Sequence, residues 1–164
     1  MYLHILNKMV TFACEMEGTT MIGVAICTHA GFAFGLKEAC EMIAGEQEKF
    51  TALGFTFHDE LIEYSERLKE QTKDYDEGCI YVTDMINASP YNAALICIYN
   101  TKNWVLSGAS LPMVLEVLIL RGIPGNTMKN IIAQVRESSQ FYSGFTSSDD
   151  VFSKGKEENN AETC

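Results

Sequence analysis

A short apolar strand that runs directly into a helix is the feature that most constrains this chain. The stretch MIGVAICTHAGFAFG, at positions 21–35, has mostly apolar residues over 22–28, then His29, then an Ala-Gly step into a helical pattern. A continuous apolar run of this length is typical of a strand that is buried on both faces of a parallel sheet. In an open α/β sheet, ligands bind at the carboxyl ends of such strands. The sequence therefore predicts that His29 lies at the ligand-binding edge of a sheet.

The same alternation of strand and helix continues along the chain. Further strands are predicted over 50–57, 79–83 and 104–107, and a helical pattern follows each of them. Alternation of this kind indicates a parallel sheet, and right-handed crossovers make the strand order 2-1-3-4 common for a short chain. We therefore predict an α/β fold: a doubly wound, mainly parallel four-stranded sheet with helices on both faces.

Four polar residues follow the predicted strands at one edge of this sheet. In the order 2-1-3-4, strands one and three are neighbours, and ligands bind between their carboxyl ends. His29 follows strand one, and Asp84 follows strand three. Ser89, which precedes a proline, is predicted to be the N-cap of the next helix, and Ser110 follows strand four. We expect these four residues to converge.

The predicted cluster has the groups that phosphoryl transfer needs. An imidazole accepts and returns a phosphoryl group near neutral pH if the attacking nitrogen is deprotonated. A carboxylate on the other nitrogen, here Asp84, fixes that tautomer and stabilises the developing positive charge. The helix that begins at Ser89 offers N–H groups and a hydroxyl to an anion. Taken singly, each residue has an ordinary explanation: His29 is structural or solvated, Asp84 caps a loop, and Ser89 and Ser110 are helix N-caps. Their convergence at one edge of the sheet favours a catalytic site.

The remaining local signals concern helix ends and one unusually apolar helix. Gly45 is predicted to end the first helix, and Asp59 is a candidate N-cap of the second. The helix predicted over 111–120 is apolar nearly all round, with Glu116 as its one charged residue, so it is either enclosed or at a subunit interface. His58 also follows a strand, and we expect it to be a solvated loop residue.

Composition excludes several functional classes. With 164 residues, 47% of them apolar, the chain suits one globular domain. A net charge of -10 argues against nucleic-acid binding, which requires clusters of Lys and Arg. No apolar run reaches the roughly 18 residues of a membrane helix. The cysteines have no metal-ligand spacing, and we expect four of them to be buried free thiols in a reducing, cytoplasmic compartment: Cys27, Cys40, Cys79 and Cys97.

The two ends of the chain differ from its middle. Residues 1–20 fit neither the strand-helix alternation nor a signal peptide, and Met21 directly precedes the first strand. We therefore expect translation to start at Met21, with residues 1–20 a leader that derives from upstream sequence. Residues 147–164 are polar and are predicted to form a flexible tail. This leaves 21–146 as the predicted domain.

Three ordered motifs resemble a known family. The segments MIGVAICTHAGFAFGLKEACEMIAGEQ, VTDMINASPYNAA and SGASLPMVLE are similar to those of the IIA domain of the mannose/fructose/sorbose-family phosphoenolpyruvate-dependent sugar phosphotransferase system (PTS). The similarity extends from Met21 to about Phe145. It implies that His29 is phosphorylated, that Asp84 orients it and that Ser89 contacts the phosphoryl group, with no metal or organic cofactor.

The resemblance also implies partners and an assembly. The phosphoryl group comes from the phosphocarrier HPr and goes to a IIB component, here a separate chain, which phosphorylates the sugar taken up by the membrane components IIC and IID. The family implies a homodimer, with a fifth, C-terminal strand often exchanged between subunits. The sequence departs from the family pattern where Ala30 and Asn87-Ala88 replace glycines. We expect Asn87 to preserve the turn and Ala88 to fit less well.

Other functions stay open at this point. A related IIA-like subunit donates phosphate within a dihydroxyacetone kinase complex, and the lost glycines suit a regulatory paralogue that transfers nothing. A two-component receiver domain shares the layout but needs clustered acidic residues where this chain has Thr28-His29-Ala30. A flavodoxin-like protein is distinguished by the yellow colour of bound flavin. The sugar itself is not specified by these motifs.

Overall fold

Four parallel strands form the single sheet of the described chain. The computed structural model describes residues 21–141. The strands are β1 (Gly23–His29), β2 (Phe50–Phe55), β3 (Cys79–Thr83) and β4 (Trp104–Ser107). Their order is β2-β1-β3-β4, and every neighbouring pair is parallel, which confirms the predicted order 2-1-3-4. The predicted leader, the polar tail and the expected exchanged strand lie outside the described residues.

Five α-helices cover the two faces of this sheet. They are α1 (Phe32–Ala44), α2 (Leu61–Thr72), α3 (Ser89–Ile98), α4 (Leu111–Arg121) and α5 (Met128–Ser138), and a 3₁₀ turn, Ser139–Phe141, follows α5. Helices α1, α4 and α5 share one apolar cluster with the sheet, whereas α2 and α3 share the other. The prediction of helices on both faces is therefore confirmed.

Strand β1 lies at the centre of both clusters because its successive side chains point to opposite faces. Val24 and Ile26 pack into the cluster with α1, α4 and α5, and Ala25 and Cys27 pack into the cluster with α2 and α3. All four side chains are fully buried. A strand buried in this way has little freedom to shift, so its last residue, His29, projects from a rigid support.

The second strand ends earlier than its sequence predicts, and Asp59 is the reason. The Asp59 carboxylate accepts hydrogen bonds from the Thr56 N–H at 2.6 Å and from the Thr56 hydroxyl at 2.8 Å, which turns the chain after Phe55. The prediction that Asp59 is an N-cap is therefore wrong: Glu60 holds that position, without a side-chain cap. Gly45 does end α1, with a φ of 76°.

Helix α4 buries one face against the sheet and α5, whereas Leu111, Leu115 and Ile119 are half-buried and Pro112 is exposed. Met113, Val114, Val117 and Leu118 are buried against the sheet and α5. Its last residue, Arg121, is also buried and donates hydrogen bonds to the carbonyls at 22, 48 and 49. Desolvation lowers the pKa of Arg121 to about 10. This cation binds the amino-terminal end of the sheet, opposite His29.

The four cysteines expected to be buried and free are buried and free. Burial raises the pKa of Cys27, which is fully enclosed, so this group stays a neutral thiol at physiological pH. Within residues 21–141, no helix has the length and apolar character needed to cross a bilayer.

Candidate functional site

The carboxyl ends of β1 and β3 bring His29 and Asp84 into direct contact. His29 Nδ1 lies 2.8 Å from Asp84 Oδ2, and the same oxygen accepts the His29 backbone N–H at 2.9 Å. The second oxygen, Oδ1, accepts the Met85 N–H at 2.9 Å. The His29 side chain is 46% exposed, whereas that of Asp84 is 19% exposed. The predicted pairing of these two residues is therefore present, with one ring nitrogen engaged by the carboxylate.

Strand register explains this contact. Cys27 and Thr83 are partners in the β1–β3 pairing, so His29 and Asp84 follow at the same edge. Partial burial alone raises the pKa of Asp84, but hydrogen bonds from the His29 N–H, the His29 ring and the Met85 N–H outweigh it and lower the pKa overall. Asp84 is therefore ionised at neutral pH and acts as a hydrogen-bond acceptor only. Its partner nitrogen, Nδ1, must then carry the ring proton of the neutral imidazole.

The turn after His29 is narrow and tightly packed. Ala30 has a φ of 47°, in the left-handed region that favours glycine. Its N–H donates to the Phe55 carbonyl at 2.8 Å. A Cβ added at Gly54 would lie 2.0 Å from the Ala30 carbonyl oxygen, so the end of β2 backs closely onto this turn. The alanine that departs from the family pattern is accommodated here at a cost in backbone strain.

The loop before α3 tolerates the second departure better than its sequence suggests. Asn87 has a φ of 63°, so it does preserve a left-handed turn. Ala88 has a φ of -84° and a ψ of 172°, an extended conformation that alanine adopts without strain. Glycine is therefore not needed at position 88.

Ser89 is the first residue of α3, not its N-cap as predicted. Ala88 occupies the cap position and has no side chain that can accept a hydrogen bond, and Pro90 follows Ser89. The first bond within the helix runs from the Asn92 N–H to the Ala88 carbonyl at 2.9 Å. The N–H groups of Ser89 and Tyr91 are therefore unused by the helix itself, because α-helices leave their first N–H groups without internal partners.

Two other predicted residues have simpler roles. Ser110 is the N-cap of α4, where its hydroxyl accepts the Met113 N–H at 3.4 Å, which agrees with the ordinary capping explanation. His58 is exposed in the loop after β2, as expected, and its backbone N–H donates to the Thr56 hydroxyl.

Phe55 is a neighbour of His29 that the sequence patterns did not single out. The two residues are register partners in the β1–β2 pairing. Their rings lie edge to face, with centroids 6.4 Å apart and an interplanar angle of 75°. The predicted strand order would have placed Phe55 beside His29 if β2 had been predicted to end at Phe55. The strand was instead predicted to continue to Phe57.

The described chain offers no evident metal site. Across residues 21–141, His, Cys, Asp and Glu side chains form no group of three or more that could hold an ion. The contacts that the structure shows at His29 are those of an exposed imidazole paired with a mostly buried carboxylate.

Comparison with known proteins places this chain in a family. The family model for the PTS system fructose IIA component, EIIA-man, matches residues 23–136. The chain is 31% identical over 123 residues to the fructose-specific EIIA component of Bacillus subtilis, covering 73% of this chain and 83% of that protein. It is 31% identical over 98 residues to the sorbose-specific EIIA component of Lacticaseibacillus casei, covering 58% and 71% respectively.

Solved structures show the same fold. An EIIA component from Streptococcus agalactiae superimposes with a TM-score of 0.70 at 24% identity, covering 76% of this chain and 97% of that one. The mannose/sorbose-specific IIA subunit from Enterococcus faecalis gives a TM-score of 0.69 at 18% identity, covering 77% and 96%. The family match spans the sheet, His29 and Asp84 together, and the chain therefore belongs to the mannose-type EIIA family of sugar phosphotransferase-system components.

Proposed function

We propose that this protein is a phosphoryl relay that accepts phosphate from phospho-HPr on His29 Nε2 and passes it to a separate IIB component. The observation that carries the proposal is the 2.8 Å contact between His29 Nδ1 and Asp84 Oδ2. It engages one nitrogen of a ring that is 46% exposed and so leaves Nε2 as the nitrogen available for attack. The family, a IIA component of a sugar phosphotransferase system, supports this chemistry.

The transfer follows from the tautomer. With the proton on Nδ1, the lone pair of Nε2 attacks phosphorus, an N–P bond forms, and the bond between phosphorus and the donor atom of HPr breaks with its electron pair returning to HPr. The imidazole becomes positively charged, and the ionised Asp84 stabilises that charge through Nδ1–H. Transfer to IIB reverses these steps with a new acceptor, so no other cofactor takes part.

The N-terminus of α3 is suited to the transferred group. Its Ser89 and Tyr91 N–H groups have no partners within the helix, and its cap residue, Ala88, does not compete for them. The N-termini of α4 and α5 differ because the Ser110 and Thr127 side chains cap them. An uncapped N-terminus carries positive partial charge and free donors, which stabilise a phosphoryl group. We assign Ser89 a supporting role here, through its N–H and hydroxyl.

The partners and setting follow from the same proposal. An imidazole this exposed is accessible to a protein donor and a protein acceptor in turn. The names of the fructose- and sorbose-specific relatives support a sugar PTS, in which IIC and IID carry the sugar across the membrane. We place the relay in the cytoplasm as a homodimer. The sugar is left to the IIB and membrane components, and mannose, fructose, sorbose and N-acetylgalactosamine all fit the proposal.

A reconstituted relay tests this function. The protein is mixed with phosphoenolpyruvate, enzyme I and HPr, and intact mass is followed with and without acid treatment. We expect one acid-labile phosphoryl group per chain, absent in His29→Ala and retained in the matched control His58→Ala, whose histidine is exposed in a neighbouring loop. Addition of a purified IIB component should then discharge the group. Normal labelling of the His29→Ala variant would refute the assignment.

A further inference from the structure

The His29 imidazole lies between groups that come from both neighbouring strands. Asp84 follows β3 and binds Nδ1, as described above. On the other side, Phe55 is the register partner of His29 on β2, and residues paired in register on parallel strands project to the same face. The ring centroids are 6.4 Å apart at 75°, within the range of edge-to-face aromatic pairs.

The Phe55 ring is itself held by a buried neighbour. Tyr64 packs edge to face against it, with centroids 5.0 Å apart and an interplanar angle of 71°. Tyr64 is fully buried, and its hydroxyl donates to the Leu53 carbonyl at 2.7 Å. The Arg67 guanidinium lies over the Tyr64 ring, 5.4 Å from its centroid. Phe55 therefore packs between the His29 imidazole and an anchored side chain.

The backbone fixes the same distance. The Ala30 N–H donates to the Phe55 carbonyl at 2.8 Å, and Gly54 lies so close to the Ala30 carbonyl that a Cβ would not fit. The main chain at the end of β2 is thus joined to the turn that follows His29. Ring contact and backbone contact both hold Phe55 against the histidine.

One hydrogen bond at Nδ1 leaves an imidazole free to tilt about the bonded nitrogen, and a tilted ring moves Nε2 away from an incoming phosphorus. We propose that Phe55 is a positioning residue: its ring limits rotation of the His29 imidazole, keeps Nδ1 on Asp84 and keeps Nε2 directed outward. The effect on reaction rate rests on the proposed phosphoryl-relay function, whereas the effect on ring order does not.

The test compares Phe55→Leu with Phe57→Leu. The control carries the same substitution two residues away, at a side chain that is fully exposed. The first measurement is ¹⁵N NMR of the His29 imidazole in the unphosphorylated protein, which reports the tautomer. The second is the rate of phosphorylation by phosphoramidate, a small donor that removes partner docking from the result; Nε2 forms the N–P bond as ammonia leaves.

We expect Phe55→Leu to shift the ring nitrogens toward averaged tautomers and to slow phosphorylation about three- to ten-fold, the range that corresponds to an aromatic pair of this kind. Phe57→Leu should match the wild type in both measurements. Wild-type ring signals in Phe55→Leu, or an equal change in both variants, would overturn the proposal. If Phe55→Leu does not fold, as judged by circular dichroism, Phe55→Met is held to the same two criteria.

The two proposals fail in different ways. If the wild-type protein takes no phosphoryl group from phosphoramidate or from HPr, the relay function fails, while a tautomer change confined to Phe55→Leu still supports the positioning role. If the wild type is phosphorylated but Phe55→Leu keeps its tautomer and rate, the positioning role alone is wrong.

Discussion

Replacing Asp84 with asparagine tests the site in a way that depends on one unusual detail of its geometry. Asp84 Oδ2 accepts two hydrogen bonds from His29, one from the backbone N–H and one from ring Nδ1, while Oδ1 accepts a single bond from the Met85 N–H. An asparagine has one oxygen and one NH₂ group for these two positions. If the NH₂ group faced His29, it would oppose a backbone N–H that cannot change its role.

The amide oxygen should therefore take the Oδ2 position, where it keeps two hydrogen bonds at the expense of one at Met85. In that orientation the ring proton stays on Nδ1, and Nε2 remains the nitrogen that is available for attack in the proposed relay. What is lost is the charge: a hydrogen bond to a charged group contributes about 1.5–3 kcal/mol and a neutral one about 0.5–1.5 kcal/mol. The midpoints of these ranges differ by about 1.25 kcal/mol, which corresponds to a rate loss of about eight-fold.

A much larger rate loss is expected for a site in which the asparagine amide moves the ring proton of the histidine to the other nitrogen. In a hydrolase triad, exchange of the aspartate for asparagine produces the wrong tautomer and a loss of about 10⁴-fold. Phosphorylation by phosphoramidate measures the rate for wild type and Asp84→Asn, and ¹⁵N NMR reports which nitrogen of His29 carries the proton. A loss of about 10³-fold or more, together with a proton on Nε2, would refute the reasoning from the shared oxygen.

Three further expectations follow from the same region. Ala30→Gly should stabilise the fold by about 0.5–1 kcal/mol in chemical denaturation, because it relieves a left-handed alanine, whereas Ala39→Gly within α1 should destabilise it by about 1 kcal/mol. Gly54→Ala should cost about 2–3 kcal/mol and slow phosphorylation, since its Cβ meets the Ala30 carbonyl; unchanged stability would contradict the packing described. The pKa of Asp84 is lowered in the folded protein, so its ionised form stabilises the fold above the unfolded-state pKa of about 3.9, and this contribution is lost as the pH falls through the folded-state pKa. The stability difference between wild type and Asp84→Asn should accordingly shrink in acid, and a difference that grows as the pH falls would exclude this linkage.

Much of the site was within reach of pattern analysis. The apolar run over 22–28 predicts a central strand that helices bury on both faces. The alternation of strands and helices limits the strand orders that are possible. Once the order is 2-1-3-4, neighbouring parallel strands place His29 beside Asp84 at one edge. These inferences succeed because hydrophobic period and crossover handedness are properties of local sequence and chain chirality.

The details that failed depend on contacts between distant residues or on backbone angles. Asp59 has the composition of an N-cap, but its carboxylate is used by Thr56, which also ends β2 early. Ser89 and its proline resemble a cap and a first helical residue, yet the helix begins one residue earlier, with Ala88 as the cap. Sequence patterns give preferences for such positions, and competing hydrogen bonds choose among them.

The chain's alternating pattern was thus sufficient for the fold class, the strand order and the pairing of a histidine with a carboxylate, because each follows from periodicity and topology. Three-dimensional packing was needed to show that Ala88 is extended and unstrained, that one oxygen of Asp84 serves both N–H groups of His29, and that Phe55 lies against the imidazole. These features arise where the ends of three strands meet. Their geometry is set by register and by neighbouring side chains that no local stretch of sequence contains.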